Sequence, residues 1–184
     1  MASKTLAVFG QGGAGKKTLV GSLLYKCEGI TMDVLRHLEG STDRKYESVV
    51  PFFEQRGLAM SFYAPSGKIE VDNSTTTPDI AIWLADVANA DRGAASSSEL
   101  ASRISNGSLK PKEKLLILLN KMDQVDWSEA AFKEAAAHFR SNNPGSTVTY
   151  IIPISASHGD NFFELADYPW LRDGSVTPVL HAFG

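Results

Sequence analysis

The chain holds a single cysteine, Cys27, so no disulfide can close within it, and it suits a reducing compartment. Helical spacing places Cys27 on the apolar face of the first helix, as a buried structural thiol. There is no excess of positive charge either. A formal net charge of −3 argues against nucleic acid or an anionic membrane as a sequence-independent partner, because both require a basic field. The local exception, Lys110, Lys112 and Lys114, is short, contains Glu113 and reads as a solvated loop. The four histidines, His37, His138, His158 and His181, share no metal-ligand spacing. No run approaches the ~20 apolar residues of a membrane span, and Met1-Ala2-Ser3-Lys4 lacks the apolar region of a signal peptide. Internal repeats and long low-complexity tracts are missing too. The expectation is a soluble, cytoplasmic protein, a single domain over residues 1–184, with enough apolar residues (43%) to bury a core.

Against these absences stands one glycine-dense stretch, Gly10-Gln11-Gly12-Gly13-Ala14-Gly15-Lys16-Lys17-Thr18. It follows the apolar run Leu6-Ala7-Val8-Phe9. After it, Leu19, Val20, Leu23, Leu24 and Cys27 recur at helical spacing, predicting a helix from about Lys17 to Lys26 with Gly29 as its stop. Strand, glycine loop, helix is the context a phosphate-binding loop needs. Gly12, Gly13, Ala14 and Gly15 can turn backbone N–H groups toward phosphate at the positive end of a helix. Lys16 reaches the β- and γ-phosphates, and Lys17 and Thr18 complete the candidate phosphate site. One position departs from the motif. A Ser or Thr that holds Mg²⁺ should follow Lys16 directly, but Lys17 stands there and Thr18 is one place late.

Between Thr31 and Arg56 the pattern is weak: Met32, Leu35 and Leu38 suit a short helix, and Pro51 interrupts the apolar cluster from Val49 to Phe53. Leu58 to Ala64 and Ile69 to Val71 flank Pro65-Ser66-Gly67-Lys68 as a hairpin. Asp79 to Val87 and Leu115 to Leu119 are near-continuous apolar runs, as central strands covered on both faces require. Ser97 to Ser105 is a modest helix. Ser128 can cap a helix whose stripe is Phe132, Ala135, Ala136 and Phe139, ended by Asn142-Asn143-Pro144-Gly145. Val148 to Ile154 is the last strand, and Thr177-Pro178 suits the N-cap and first turn of a closing helix through Phe183. Strands alternating with helices predict a three-layer α/β fold, a mostly parallel sheet with helices on both faces. Ligands of such sheets bind beyond the carboxyl ends of the strands. The loops after Phe9, Leu119 and Ile154 all fall there.

The loop after Leu119 is Asn120-Lys121-Met122-Asp123. The Asp123 carboxylate can accept from both N1–H and the 2-amino group of guanine, a paired contact adenine cannot make. The stem of Lys121 can cover the base, and Asn120 can tie this loop to the glycine loop. Ser155-Ala156-Ser157, after Ile154, completes the base pocket, with the Ala156 N–H directed at guanine O6.

These residues, with Tyr25-Lys26-Cys27-Glu28-Gly29-Ile30, Arg56-Gly57, Pro153-Ile154-Ser155, Gly159-Asp160-Asn161 and Pro169-Trp170, resemble the GTP-binding domain of the translation elongation factor Tu / 1-alpha family, most of all its eukaryotic 1-alpha branch. The resemblance implies a P-loop NTPase (G-domain) fold and GDP or GTP as ligand. It also marks departures confined to the metal and γ-phosphate side. Lys17 replaces the Mg²⁺ ligand; Arg56-Gly57-Leu58-Ala59 lacks the first-switch Thr; Asp72-Asn73-Ser74-Thr75-Thr76 has Thr75 at the second-switch Gly and Thr76 at the water-positioning His. The helix after that motif is missing, since Pro78-Asp79 leads straight into the next strand. Asp72 is the one remaining candidate metal ligand, and no catalytic residue is assigned. Lys17 either swings into solvent or places its ammonium where Mg²⁺ would lie, in which case binding needs no Mg²⁺. The expected function is guanine-nucleotide binding with impaired or absent hydrolysis, a pseudo-GTPase with a protein partner. The alternatives are an active GTPase with a rearranged switch and a nucleotide-free interaction domain.

Overall fold

The computed structural model describes residues 3–39, 46–142 and 148–184. A six-stranded sheet in the order β2-β3-β1-β4-β5-β6 forms the middle layer. Its strands are β1 (Lys4–Gly10), β2 (Met60–Ala64), β3 (Gly67–Val71), β4 (Ile80–Asp86), β5 (Lys114–Asn120) and β6 (Val148–Pro153). All neighbours run parallel except β2, which pairs antiparallel with β3 at the edge. The expected hairpin is present, with Ala64 facing Gly67 across the two-residue turn Pro65-Ser66. The expected P-loop NTPase fold is also observed.

The two apolar runs become the centre of the sheet. In β4 the residues Ile80 to Ala85 are all buried, as are Leu115 to Asn120 in β5. Burial on both faces is what a strand covered by helices needs, and it explains why these runs do not alternate. Trp83 of β4 is fully buried, and its indole Nε1–H donates to Ser96 Oγ at 2.9 Å, so its one polar atom is satisfied.

The helices are α1 (Lys16–Lys26), α2 (Met32–Leu38), α3 (Val49–Gln55), α4 (Ala90–Ser105), α5 (Glu129–Ser141) and α6 (Val179–Ala182). Ser128 Oγ accepts from the Ala131 N–H at 3.3 Å, capping α5, and Phe132, Ala136 and Phe139 of its stripe are buried. The stop assigned to Asn142 through Gly145 lies outside the described residues except for Asn142, which ends α5. Cys27 is buried at the end of α1, and burial pushes its thiol up to about 11.

Three boundaries differ from the sequence reading. Pro51 does not break the cluster from Val49 to Phe53 but sits in the first turn of α3, where the missing N–H has no intrahelical partner to lose. The helix α4 starts at Ala90 rather than Ser97, because its polar first turns hide the periodicity. In α6 Pro178 is the N-cap and Thr177 does not cap. The N–H groups of Val179 and Leu180 donate instead to the carbonyls of Asn161 (2.9 Å) and Phe162 (3.0 Å), which serve the same need.

The expected loss of the helix between β3 and β4 is observed: residues 72–79 are turns and bends. That link is fastened to β1. The Asp72 N–H donates to Leu6 O at 2.9 Å, Asn73 Oδ1 accepts from the Val8 N–H at 2.8 Å, and Asp79 Oδ2 accepts from the Thr5 N–H at 2.8 Å. Farther along, the Lys110 N–H donates to Thr76 O at 2.8 Å.

Candidate functional site

The glycine loop turns from β1 into α1 at the carboxyl end of the sheet. At Gly10 the backbone has φ +142°, and a Cβ there would fall 2.2 Å from the Leu84 carbonyl oxygen of the adjacent strand. Gly15, at φ +100°, is the N-cap of α1, and a Cβ on it would fall 2.6 Å from Asn120 Nδ2. Both positions therefore require glycine, the first for backbone packing and the second so that Asn120 can approach. The first turn of α1 holds no acidic residue and begins with Lys16 and Lys17, so charge and helix dipole both favour an anion. Lys16 Nζ donates to Gly10 O (2.6 Å) and Gln11 O (2.9 Å). Desolvation lowers its pKa from the ordinary lysine value.

Asn120, at the end of β5 and 3% exposed, joins the three loops. Its Nδ2 donates to Ala14 O at 2.8 Å, and its Oδ1 accepts from the Ala156 N–H at 2.9 Å. The tie between the Asn120 loop and the glycine loop is thus as the sequence suggested. The Ala156 N–H differs: directed at guanine O6 by the sequence reading, it is here committed to Asn120, because that amide oxygen lies within reach in the buried junction.

Asp123 lies in the short 3₁₀ turn Met122–Val125. Its Oδ1 accepts from Ser155 Oγ at 2.6 Å, which brings the two base loops together. Ser155 Oγ is also 2.8 Å from His158 Nδ1. With the Ser155 proton given to Asp123, this oxygen accepts, and Nδ1 of His158 carries the proton. Ser157 Oγ lies 3.2 Å from the same nitrogen. His158 was not among the expected site residues, although its place directly after Ser155-Ala156-Ser157 was a signal. Lys26, at the far end of α1, donates to His158 O at 2.8 Å and fixes this loop to the glycine-loop helix.

Lys121 takes up a left-handed backbone conformation, and its Nζ pairs with Asp86 Oδ2 at 2.6 Å. Asp86 ends β4 opposite Asn120 and is the one charged residue between Ile80 and Val87. This second missed residue anchors the head of the side chain whose stem was expected to cover the base.

The metal side is different. Lys17 Nζ is 4.0 Å from Glu54 Oε2 of α3, with both side chains more than half exposed. Thr18 Oγ1 lies 3.5 Å from Glu47 Oε1. Asp72, exposed, accepts from both the Ser74 hydroxyl and its N–H, which hold its carboxyl below the usual range. Ala59, Thr76 and Leu58 are exposed. No group of three or more His, Cys, Asp or Glu side chains among the described residues could hold a metal. An ammonium has no lone pair to give, and Ala59 has no oxygen, so these residues do not fit the Mg²⁺ that the fold family ordinarily binds here.

No known family profile matches the chain. It is 31% identical over 160 residues to sulfate adenylyltransferase subunit 1 of Vibrio vulnificus, a match covering 84% of this chain and 30% of that protein. It is 27% identical over 201 residues to elongation factor 1-alpha of Absidia glauca, covering 91% of this chain and 44% of that one. The chain is a homologue of the elongation factor Tu / 1-alpha G domains. It spans less than half the length of these relatives, and with two kinds of relative matching, the eukaryotic 1-alpha branch is not singled out. In structure it matches the S. cerevisiae Ski7 GTPase-like domain bound to GDP and inorganic phosphate, with a TM-score of 0.73 and 19% identity over 98% of this chain and 48% of that chain. Among the described residues no helix is long and apolar enough to cross a membrane.

Proposed function

We propose that this G domain binds GDP or GTP without requiring Mg²⁺ and hydrolyses GTP extremely slowly or not at all. The observation that carries the binding half is Asn120, which draws the glycine loop and the Ser155–Ser157 loop onto the loop that presents Asp123. A phosphate cradle and a guanine-selective carboxylate are thereby held on one rigid junction. The fold neighbour Ski7 was crystallised with GDP and phosphate, which supports the same ligand class for this chain.

The loss of hydrolysis is supported by what surrounds the phosphate end. Hydrolysis by this fold class depends on a lysine, a metal ion and a residue orienting the attacking water. Among the described residues only the lysine is in place. The segment that carries the water-positioning residue in the family is a short link stitched to β1, and Thr76 in that place is turned to solvent with its carbonyl bonded to Lys110. Lys17 is held by little, since an exposed pair at 4.0 Å contributes under about 1 kcal/mol, and it can swing to bound phosphate. The chain would act as a nucleotide-holding module, a single G domain presenting its surface to a protein partner rather than to a membrane or nucleic acid.

Titration with fluorescent GDP and GTP in EDTA and in excess Mg²⁺ tests this. Affinities are expected to agree within about twofold between the two conditions, since Lys17 takes no metal. Lys17→Ser, which restores a hydroxyl, should make binding Mg²⁺-dependent. Loss of binding on adding EDTA to the unchanged protein would sink the metal-independent reading. Phosphate release under single turnover should stay at the uncatalysed rate; a turnover within minutes would favour an active GTPase with a rearranged switch.

A further inference from the structure

We infer that Arg92 of α4 is the γ-phosphate-recognising residue of this domain, replacing the contacts its switch segments no longer supply. The inference rests on the guanine-nucleotide reading above. Arg92 Nη1 donates to Gly12 O at 3.1 Å, and a Cβ on Gly13 would lie 3.5 Å from the same nitrogen, so the guanidinium sits directly on the glycine loop. It does so at the end where the terminal phosphate belongs. Lys16, which reaches the β- and γ-phosphates in such loops, has its ammonium on Gly10 O and Gln11 O, the two residues preceding Gly12.

Beside this contact lies a cavity of about 510 Å³ lined by Gly10, Gln11, Gly12, Arg92, Glu99 and Arg103. It lies between the glycine loop and α4, and the link 72–79 sends no helix to cover it. Its charge is not balanced. Glu99 Oε1 accepts from both Nε (3.2 Å) and Nη2 (3.0 Å) of Arg103, which neutralises that pair. The Arg103 guanidinium is also packed over the rings of Trp83 (5.7 Å) and Phe9 (6.0 Å), fixing it in place. Among the described residues, Arg92 is left as the cation of the cavity without an acidic partner. Its bond to Gly12 uses one of five N–H donors, and the planar fork can offer others to a phosphoryl oxygen. A diphosphate offers Lys16 its β-phosphate alone; a triphosphate adds the γ-phosphate, which Lys16 also reaches and which the Arg92 fork takes as well. The residue therefore discriminates GTP from GDP in a domain whose first switch has Ala59 for the sensing Thr.

The test is the ratio of affinities for GTPγS and GDP, measured in EDTA for the unchanged protein, Arg92→Ala and Arg92→Lys, with melting temperatures recorded alongside. The unchanged protein should prefer the triphosphate. In Arg92→Ala that ratio should fall about tenfold or more, as the loss of a charge-assisted hydrogen bond implies, and Arg92→Lys should recover part of it. An equal loss for both nucleotides, or no change, overturns the inference and leaves nucleotide binding standing. Failure of the unchanged protein to bind either nucleotide overturns both.

Discussion

Asp123→Ala is expected to lower guanine-nucleotide affinity by about a hundredfold or more. The carboxylate can take two hydrogen bonds from one guanine edge, each contributing about 1.5–3 kcal/mol because the acceptor is charged. Its orientation is set before any ligand arrives, by the 2.6 Å bond from Ser155 Oγ to Oδ1. The fold itself should be little affected, since Asp123 is only half-buried, and the melting temperature should stay within a few degrees. Asp123→Asn sharpens the test. An amide offers a donor where the carboxylate had an acceptor, so it should reject the guanine 2-amino group and accept xanthine, which has a carbonyl there. Competition between GDP and XDP against a fluorescent probe reads both effects. Unchanged GDP affinity in Asp123→Ala would place the base somewhere else. Ser155→Ala separates orientation from contact: it should weaken binding by less than Asp123→Ala does.

Asn120→Ala should do what Asp123→Ala does not, and destabilise the protein as well. The side chain is 3% exposed and satisfies Ala14 O and the Ala156 N–H together. Removing it leaves two buried backbone groups without partners, at about 1–3 kcal/mol each. For a domain of this size that corresponds to a fall in melting temperature of roughly 5–15 °C. Nucleotide binding should be lost too, because the glycine loop and the base loops are then no longer held in register. Asn120→Asp can still accept from Ala156 but sets a carboxylate against the Ala14 carbonyl, and should be no better. Thermal melts followed by calorimetric titration with GDP distinguish the two residues. A variant at position 120 that melts with the unchanged protein would mean that the junction is not what aligns the loops.

The parts of this architecture legible in the sequence are those written in local periodicity. Ile80 to Ala85 and Leu115 to Leu119 read as buried strands because so short and uniform an apolar run suits a strand covered on both faces. The glycine loop, the Asn120–Asp123 loop and the Ser155–Ser157 loop were legible because each follows such a strand. Pro51 misled, since its effect on a helix depends on position within it, and nothing nearby marked where α3 begins. Asp86, His158 and Arg92 were missed for another reason. Each acts through a partner distant in sequence: Asp86 with Lys121, the His158 carbonyl with Lys26, Arg92 with Gly12. Pairings across 35, 132 and 80 positions leave no periodic trace. Only the folded chain, with the carboxyl ends of its parallel strands on one side, makes them neighbours.

Cys27 closes the helix that begins at the glycine loop. Its carbonyl accepts from the Tyr63 N–H of β2 at 3.0 Å, its side chain is buried, and its thiol is raised to about 11. At neutral pH little thiolate exists there, and burial hinders the approach of an alkylating reagent to it. The sulfur therefore reacts mainly in the moments when the end of α1 parts from the edge of the sheet. With one thiol per molecule, the labelling rate becomes a stopwatch for that opening, free of background from any other site. A ligand gripping the first turn of α1 slows it only where that opening also releases the ligand, so the labelling rate with and without GDP reads whether the two ends of the helix part together.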